Sequence, residues 1–243
     1  MSEHVRVEDV GGLRRVAIDR PRKANALSTE MVYALEEAFI KPAPLGVQAI
    51  HVSAAGKDFS AGGDLAELKS GRRSEQYGAI CSLVAAVHAR TLPLFVELHG
   101  KTLGAALLFP ILADVVVAAD STMLGIPEVQ FGMYPVLVHQ LLLERLPYPL
   151  VFQLCIGARS LTAEEALSLG LVTEIGLTAD FARHAAERTE YYRQRIDAVL
   201  AGRKLRSVEF GGGLLERTRK SEAPFALNLA APSVQILLET WLR

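Results

Sequence analysis

Cysteine is scarce in this 243-residue chain. Cys81 and Cys155 are the only two, and both sit inside apolar periodic segments. That reads them as small core residues rather than as disulfide partners. An excess of one charge is lacking as well. The 26 basic and 27 acidic residues leave a net charge of −1, a balance that gives no support to nucleic-acid binding. Long hydrophobic runs are missing: Leu103 to Leu112 is very apolar, but about ten residues cannot span a bilayer. The first residues do not show the charged-then-apolar pattern of a secretory leader, and no low-complexity tract occurs. What is there is ordinary globular composition, half hydrophobic and 22% charged. The length suits one sizeable core, with or without a smaller appendage. A cytoplasmic enzyme fits these facts.

The segments can be taken in order. Val5 to Asp9 and Leu13 to Ile18 read as two short strands around a Gly11-Gly12 turn. Asp19 to Leu27 is a proline-bounded loop. Ser28 is a natural N-cap for a helix with Met31, Leu35 and Phe39 on its apolar face, and that helix ends at the prolines between Lys41 and Leu45. Val47 to Ala54 is a buried strand. Ser74 to Arg90 reads as a helix with Ile80, Leu83, Val84 and Val87 inward. Leu94 to His99 is a strand, Gly100 to Gly104 a short turn, and Ala105 to Leu112 a helix buried on all sides. Val115 to Ala119 is a strand and Val136 to Leu146 a helix. Thr162, with Glu165 at capping-box spacing, opens a helix that stops at Gly170. Leu171 to Ile175 is a strand, and Asp180 to about Lys204 a long charged amphipathic helix, its arginines from Arg183 to Arg219 interleaved with acids as on a solvated face or an oligomer contact. Gly211 to Gly213 is a joint before a last helix at Ser233 to Leu242. The loose repetition of strand, strand, helix hints at a stacked or spiral α/β arrangement.

The stretch from Gly56 to Lys69, G-K-D-F-S-A-G-G-D-L-A-E-L-K, follows the buried strand. It packs three glycines around Phe59 and Asp64. Glycine serves where backbone must turn tightly or approach a ligand closely, and Asp64 is placed to cap a following helix.

Four segments line up in order, the second of them within this stretch: R-P-R-K-A-N-A-L at Arg20 to Leu27, F-S-A-G-G-D-L at Phe59 to Leu65, H-G-K-T-L-G-A-A at His99 to Ala106, and I-P-E-V-Q-F-G at Ile126 to Gly132. A fifth, T-A-E-E-A-L-S-L-G-L-V at Thr162 to Val172, follows at a suitable distance. The ordered set resembles the crotonase superfamily, the enoyl-CoA hydratase/isomerase family, over roughly Val5 to Ile175. The tail lacks the family's usual glutamate-glycine pair and aromatic-rich ending. The resemblance implies an α/β fold, a spiral of ββα units over residues 1–178, followed by a helical C-terminal region at 179–243 that builds trimers or hexamers. It implies a coenzyme A thioester as substrate, with no other cofactor and no metal.

The family's shared step is formation of a thioester enolate. Its oxygen needs preorganised backbone N–H donors, which the alignment of motifs puts at Gly63 and Ala105. Its hydratases use two glutamates to position water and exchange protons. Glu128 matches the second. Leu108 stands at the first, and Leu cannot accept a proton. The family's isomerases of unsaturated acyl-CoA work with one glutamate and an apolar residue in this arrangement, so isomerase-like proton transfer by Glu128 is the leading expectation. Its apolar neighbours Leu124, Ile126 and Val129 would raise its pKa if it is buried. Hydration, decarboxylation or thioester hydrolysis on the same fold are the alternatives, and a silent acyl-CoA-binding or scaffolding protein is the rival of another class. Val136 to Val138 fill space where hydratases usually carry glycines. Tyr134 and His139 are candidates for a second polar group, with simple packing the expected role of His139. Arg22 and Lys23 lie in the loop that, by resemblance, runs beside the coenzyme A phosphates, and Ala61 would offer backbone to the adenine or pantetheine end. Lys69, Arg72 and Arg73 read as solvated charges. Glu97 is an acid within a strand, to be paired with a base or to face another subunit.

Overall fold

The computed structural model of the protein describes residues 2–70, 72–200 and 202. Gly11 and Gly12 both take left-handed φ, +61° and +78°, as a two-residue hairpin turn of this hand requires. They fold β1 (Val5–Val10) antiparallel onto β2 (Leu13–Ile18). From β2 the sheet is parallel, adding β3 (Ala49–Ala54), β4 (Leu94–Leu98), β6 (Val115–Ala119) and β9 (Glu174–Gly176) in the order β1-β2-β3-β4-β6-β9. The inner strands are dominated by Val, Ile, Leu and Ala because both faces are covered. Leu94, Val96 and Leu98 join the main core with α1 (Thr29–Ile40) and α3 (Arg73–Ala89). Phe95 points the other way, into a smaller cluster with Leu13, Val115, Val117 and Ala185 of α8 (Phe181–Arg193). Glu97 shares that second face, where His51 Nε2 lies 2.7 Å from its Oε1, so it is paired with a base as one of its two expectations had it.

A second, three-stranded sheet is made of β5 (Lys101–Leu103), β7 (Met123–Gly125) and β8 (Ser160–Thr162). Each long strand hands the chain to a short one: β4 to β5, β6 to β7, and β3 to Ser60, which bridges Thr102 in parallel. This repeated step is the expected spiral of strand-strand-helix units. The helical C-terminal region expected from residue 179 is described only as far as residue 202. Gly211 to Gly213, Arg219 and the helix at Ser233 to Leu242 lie outside the described residues.

Several elements differ from the sequence reading. Gly100 to Gly104 is a paired strand rather than a turn, because Lys101 to Leu103 finds β7, a partner no local pattern announces. The single helix expected at Ala105 to Leu112 is a 3-10 turn, Gly104–Leu107, followed by α4 (Leu108–Leu112). Pro110 explains the break. It has no N–H for the carbonyl four residues back, and it is tolerated inside the first turn of the α-helix that starts at Leu108. α5 (Val136–Leu142) stops short of Leu146, and the long charged helix breaks at Gln194 and Arg195. α6 (Tyr148–Gly157) is absent from the sequence reading, since its segment is too evenly apolar to show a helical face. The last strand pairs at Glu174 to Gly176, later than expected. The caps are where the local patterns put them. Ser28 accepts from Met31 N, Asp64 from Ala66 N at the start of α2 (Leu65–Lys69), and Thr162 and Glu165 close a capping box on α7 (Ala163–Ser168). Neither cysteine is in a disulfide.

Candidate active site

The parallel bridge at Ser60 and Thr102 sets the site. Ser60 N donates to Lys101 O at 3.0 Å and Leu103 N to Ser60 O at 2.9 Å. Continuing that register by three residues puts Gly63 opposite Ala105. The two backbones then approach as only glycine permits. A Cβ at Gly62, whose φ is +86°, would meet Leu103 O at 2.6 Å and Ala105 N at 3.4 Å. Ala105 lies in the first turn of the 3-10 segment, where backbone N–H groups have no partner inside the helix. Both Gly63 and Ala105 line a cavity of about 280 Å³.

The loop holding Gly63 is braced from several sides. Asn25, fully buried at φ +54°, donates through Nδ2 to Ala55 O at 2.7 Å and Asp58 O at 2.9 Å, and its Oδ1 accepts from Arg20 N. Arg20 pairs with Asp64 at 2.6 Å. Gln76, 1% exposed, donates to Leu27 O at 3.1 Å from beneath the glycines. Most of these bracing contacts are not legible in the sequence, because they reach across gaps of some 30 to 50 positions.

Glu128 reaches the same cavity from the other sheet. It opens the 3-10 turn Glu128–Phe131 just after β7, and Gly132, in the left-handed region at φ +74°, ends that turn. The residue as a whole is half-buried, yet its Oε2 is shielded from solvent and has no hydrogen-bond partner among the described residues. Burial pushes its pKa up to about 7, against a small opposing effect of its own backbone N–H. A carboxyl without a partner in a dry site is costly as an anion and is poised to exchange a proton near neutral pH.

Gly104 makes room for this carboxyl. A Cβ there would sit 2.8 Å from Glu128 Oε1, and its φ of +52° disfavours any side chain. Gly104→Ala is therefore expected to destabilise the fold by about 1–2 kcal/mol. Displacing the carboxyl should also cut turnover by about 10²-fold, the scale of a 1 Å misplacement. Thermal unfolding and steady-state rates of the variant check both, and a variant with parental turnover would show that the carboxyl does not depend on this gap.

Leu108 is fully buried in the main core and does not line the cavity. Leu108→Glu would bury a carboxylate among apolar side chains. It should cost about 3–5 kcal/mol in chemical denaturation and add no hydratase activity to that of the parent. A stable variant that hydrates enoyl esters faster than the parent would contradict this.

The remaining described walls are mostly apolar, with Leu65, Leu68, Ile80, Met133 and Val136 to Val138 among them and Gln76 as a polar member. Tyr134 also lines the cavity, and its hydroxyl lies 2.7 Å from His139 Nδ1. His139 thus does more than pack. Arg22 and Lys23 occupy an exposed 3-10 turn, Pro21–Lys23, and form no ion pair among the described residues. Ala24 O accepts from Ala61 N at 2.9 Å, which ties that turn to the cavity-lining Ala61. Arg72 pairs with Glu75 on the surface, as a solvated charge does.

A spiral of strand-strand-helix units, with paired loop backbones and one dry carboxyl at a shared cavity, defines a crotonase-type α/β protein. The family model described as enoyl-CoA hydratase/isomerase matches residues 8–206, and the chain belongs to that family. Carnitinyl-CoA dehydratase of Salmonella arizonae is 30% identical over 181 residues, covering 72% of this chain and 69% of that protein. The mitochondrial enoyl-CoA hydratase domain-containing protein 3 of Danio rerio is 28% identical over 173 residues. That match covers 69% of this chain and 60% of the relative's length. Among solved structures, an enoyl-CoA hydratase from Mycobacterium avium subsp. paratuberculosis K-10 superposes with a TM-score of 0.87. It is 19% identical and covers 98% of this chain and 99% of its own, a likeness of fold. Among the described residues no helix is long and apolar enough to cross a membrane.

Proposed function

We propose that this protein is an acyl-CoA enzyme that forms a thioester enolate and moves a proton on it with one carboxylate, Glu128. The observation that carries the reading is Glu128 itself, whose Oε2 is buried without a hydrogen-bond partner among the described residues and whose pKa is pushed up to about 7, in a cavity shared with Gly63 and Ala105. The N–H groups of Gly63 and Ala105 hold the thioester oxygen as it becomes negative. Glu128 takes the α-proton of a β,γ-enoyl thioester, and the same carboxyl returns it to the γ-carbon, leaving the α,β double bond. Arg22 and Lys23 meet the coenzyme A phosphates, and Ala61 offers backbone to the adenine or pantetheine end. No cofactor beyond that moiety takes part. A silent binding protein would have no use for a destabilising carboxyl in its ligand cavity.

Hydration and dehydration form a second reading, favoured by the named activities of the relatives and by Tyr134 among the residues that line the cavity. The test is a panel of enoyl-CoA and malonyl-type esters, with double-bond migration and hydration followed separately. Apolar acyl groups should be turned over and malonyl-type esters should not, because the described residues lining the cavity include no cation. Brisk hydration of crotonyl-CoA without migration of a β,γ-enoyl ester would overturn the isomerase reading in favour of the second. We further propose a homotrimer or hexamer, which light scattering showing monomer alone at micromolar concentration would exclude.

A further inference from the structure

The cavity holds a second proton-bearing group that the single-carboxylate scheme does not use. Tyr134 precedes Pro135, the N-cap of α5, and His139 lies one turn into that helix. This places the tyrosine hydroxyl 2.7 Å from His139 Nδ1 with the rings tilted against each other, centroids 5.6 Å apart. The tyrosine faces the cavity and the histidine stands behind it, 9% exposed. Behind the histidine comes Tyr148 of α6, edge-on at 5.8 Å and open to solvent. Cys155, also on α6 and fully buried, closes the group: its thiol hydrogen-bonds the Tyr134 hydroxyl and feels the charge of Glu128. Tyr134 and Glu128 therefore flank one buried thiol, and a column of rings leads from the cavity to the surface.

We propose that Tyr134 is the catalytic acid-base group acting at the β-carbon, that His139 is its positioning residue, and that the substrates include 3-hydroxyacyl thioesters of coenzyme A. The inference rests on the enolate reading of the site. In the dehydration direction Glu128 takes the α-proton and the enolate electrons form the α,β double bond. The β-carbon–oxygen bond breaks, and the departing hydroxide takes the tyrosine proton to leave as water. Glu128 has then gained one proton and Tyr134 has lost one. Solvent takes the first, and a proton returns to the tyrosinate by way of His139. Hydration is the same path reversed. Burial, foremost, holds the phenol up to about 12 and the imidazole below its ordinary value. The tyrosine is therefore in its acid form at neutral pH, and donation to the leaving hydroxide rests on its place beside the substrate and on His139 rather than on its acidity. The phenol also supplies in the wall the second proton that Leu108 cannot.

The experiment compares two rates in each protein: wash-in of deuterium at the α-carbon of butyryl-CoA, which has no leaving group, and interconversion of 3-hydroxybutyryl-CoA and crotonyl-CoA. Tyr134→Phe is expected to lower the ratio of interconversion to exchange by about 10²-fold or more. His139→Ala should lower the same ratio, and His139→Asn, which keeps an acceptor near the place of Nδ1, should recover part of it. Glu128→Gln should lose both reactions together. A Tyr134→Phe protein with an unchanged ratio overturns the proposal. So does a parent protein that exchanges α-protons without interconverting the two esters. A parent that does not exchange α-protons at all instead overturns the enolate reading beneath it. Thermal unfolding of each variant separates loss of chemistry from loss of fold.

Discussion

Glu128→Gln is expected to leave acyl-CoA affinity within a few-fold of the parent and to lower turnover by about 10²–10⁴, the usual contribution of a positioned general base. The amide keeps the shape of the carboxyl and loses its basicity, so the defect falls on kcat and not on binding. Isothermal calorimetry and steady-state rates separate the two. Variant turnover near the parental value would remove Glu128 from the mechanism.

The same substitution carries a stability signature, and its sign is opposite to that of an ion-paired acid. Burial raises the Glu128 pKa in the folded protein to about 7, above the ordinary glutamate value. As pH rises from about 4.5 to about 7 the unfolded chain releases this proton while the folded protein still holds it. The folded state binds more protons across that window, so its stability falls with rising pH, by an amount on the order of 3 kcal/mol for the complete titration. Gln does not titrate. The advantage of Glu128→Gln over the parent in chemical denaturation should therefore grow between about pH 5 and pH 8. The parental kcat/KM should rise over the same range, because the base works only when deprotonated. A variant whose stability difference is flat with pH would mean that the carboxyl is solvated.

Ala105→Pro should lower turnover by about 10²–10³ and weaken binding of acetoacetyl-CoA, which can present an enolate oxygen to paired amides. Proline removes one donor outright. Its ring fits the first turn of a helix, where the N–H had no intrahelical partner in any case. The position is favourable for the test, since Ala105 is the second residue of the Gly104–Leu107 turn and lines the cavity. Equal affinity of variant and parent for acetoacetyl-CoA, with equal melting temperatures, would count decisively against a hydrogen bond from this amide.

The sequence by itself determined what is local. Gly11-Gly12 specifies a hairpin because only such residues take two successive left-handed conformations cheaply. Ser28, Asp64 and Thr162 mark helix starts because a cap bonds within its own first turn. The apolar runs of β2, β3, β4 and β6 marked these segments as strands. The order of five motifs pointed to the family, and with it to Gly63, Ala105 and Glu128. Only the tertiary structure decided that these three line one cavity, since the close approach runs through the Ser60–Thr102 bridge, a pairing 42 positions long. It also decided that Leu108 turns into the core, that Glu97 meets His51, and that Asn25 and Gln76 brace the glycine loop. Three-residue strands such as β5 and β8 carry too few side chains to show a period. Helix α6 was invisible for a related reason, being apolar nearly all round, and Cys155 was legible only as a core residue. The grouping of Cys155, Tyr134 and Glu128 depends on where that helix packs, and packing is a property of the assembled core that no single segment encodes.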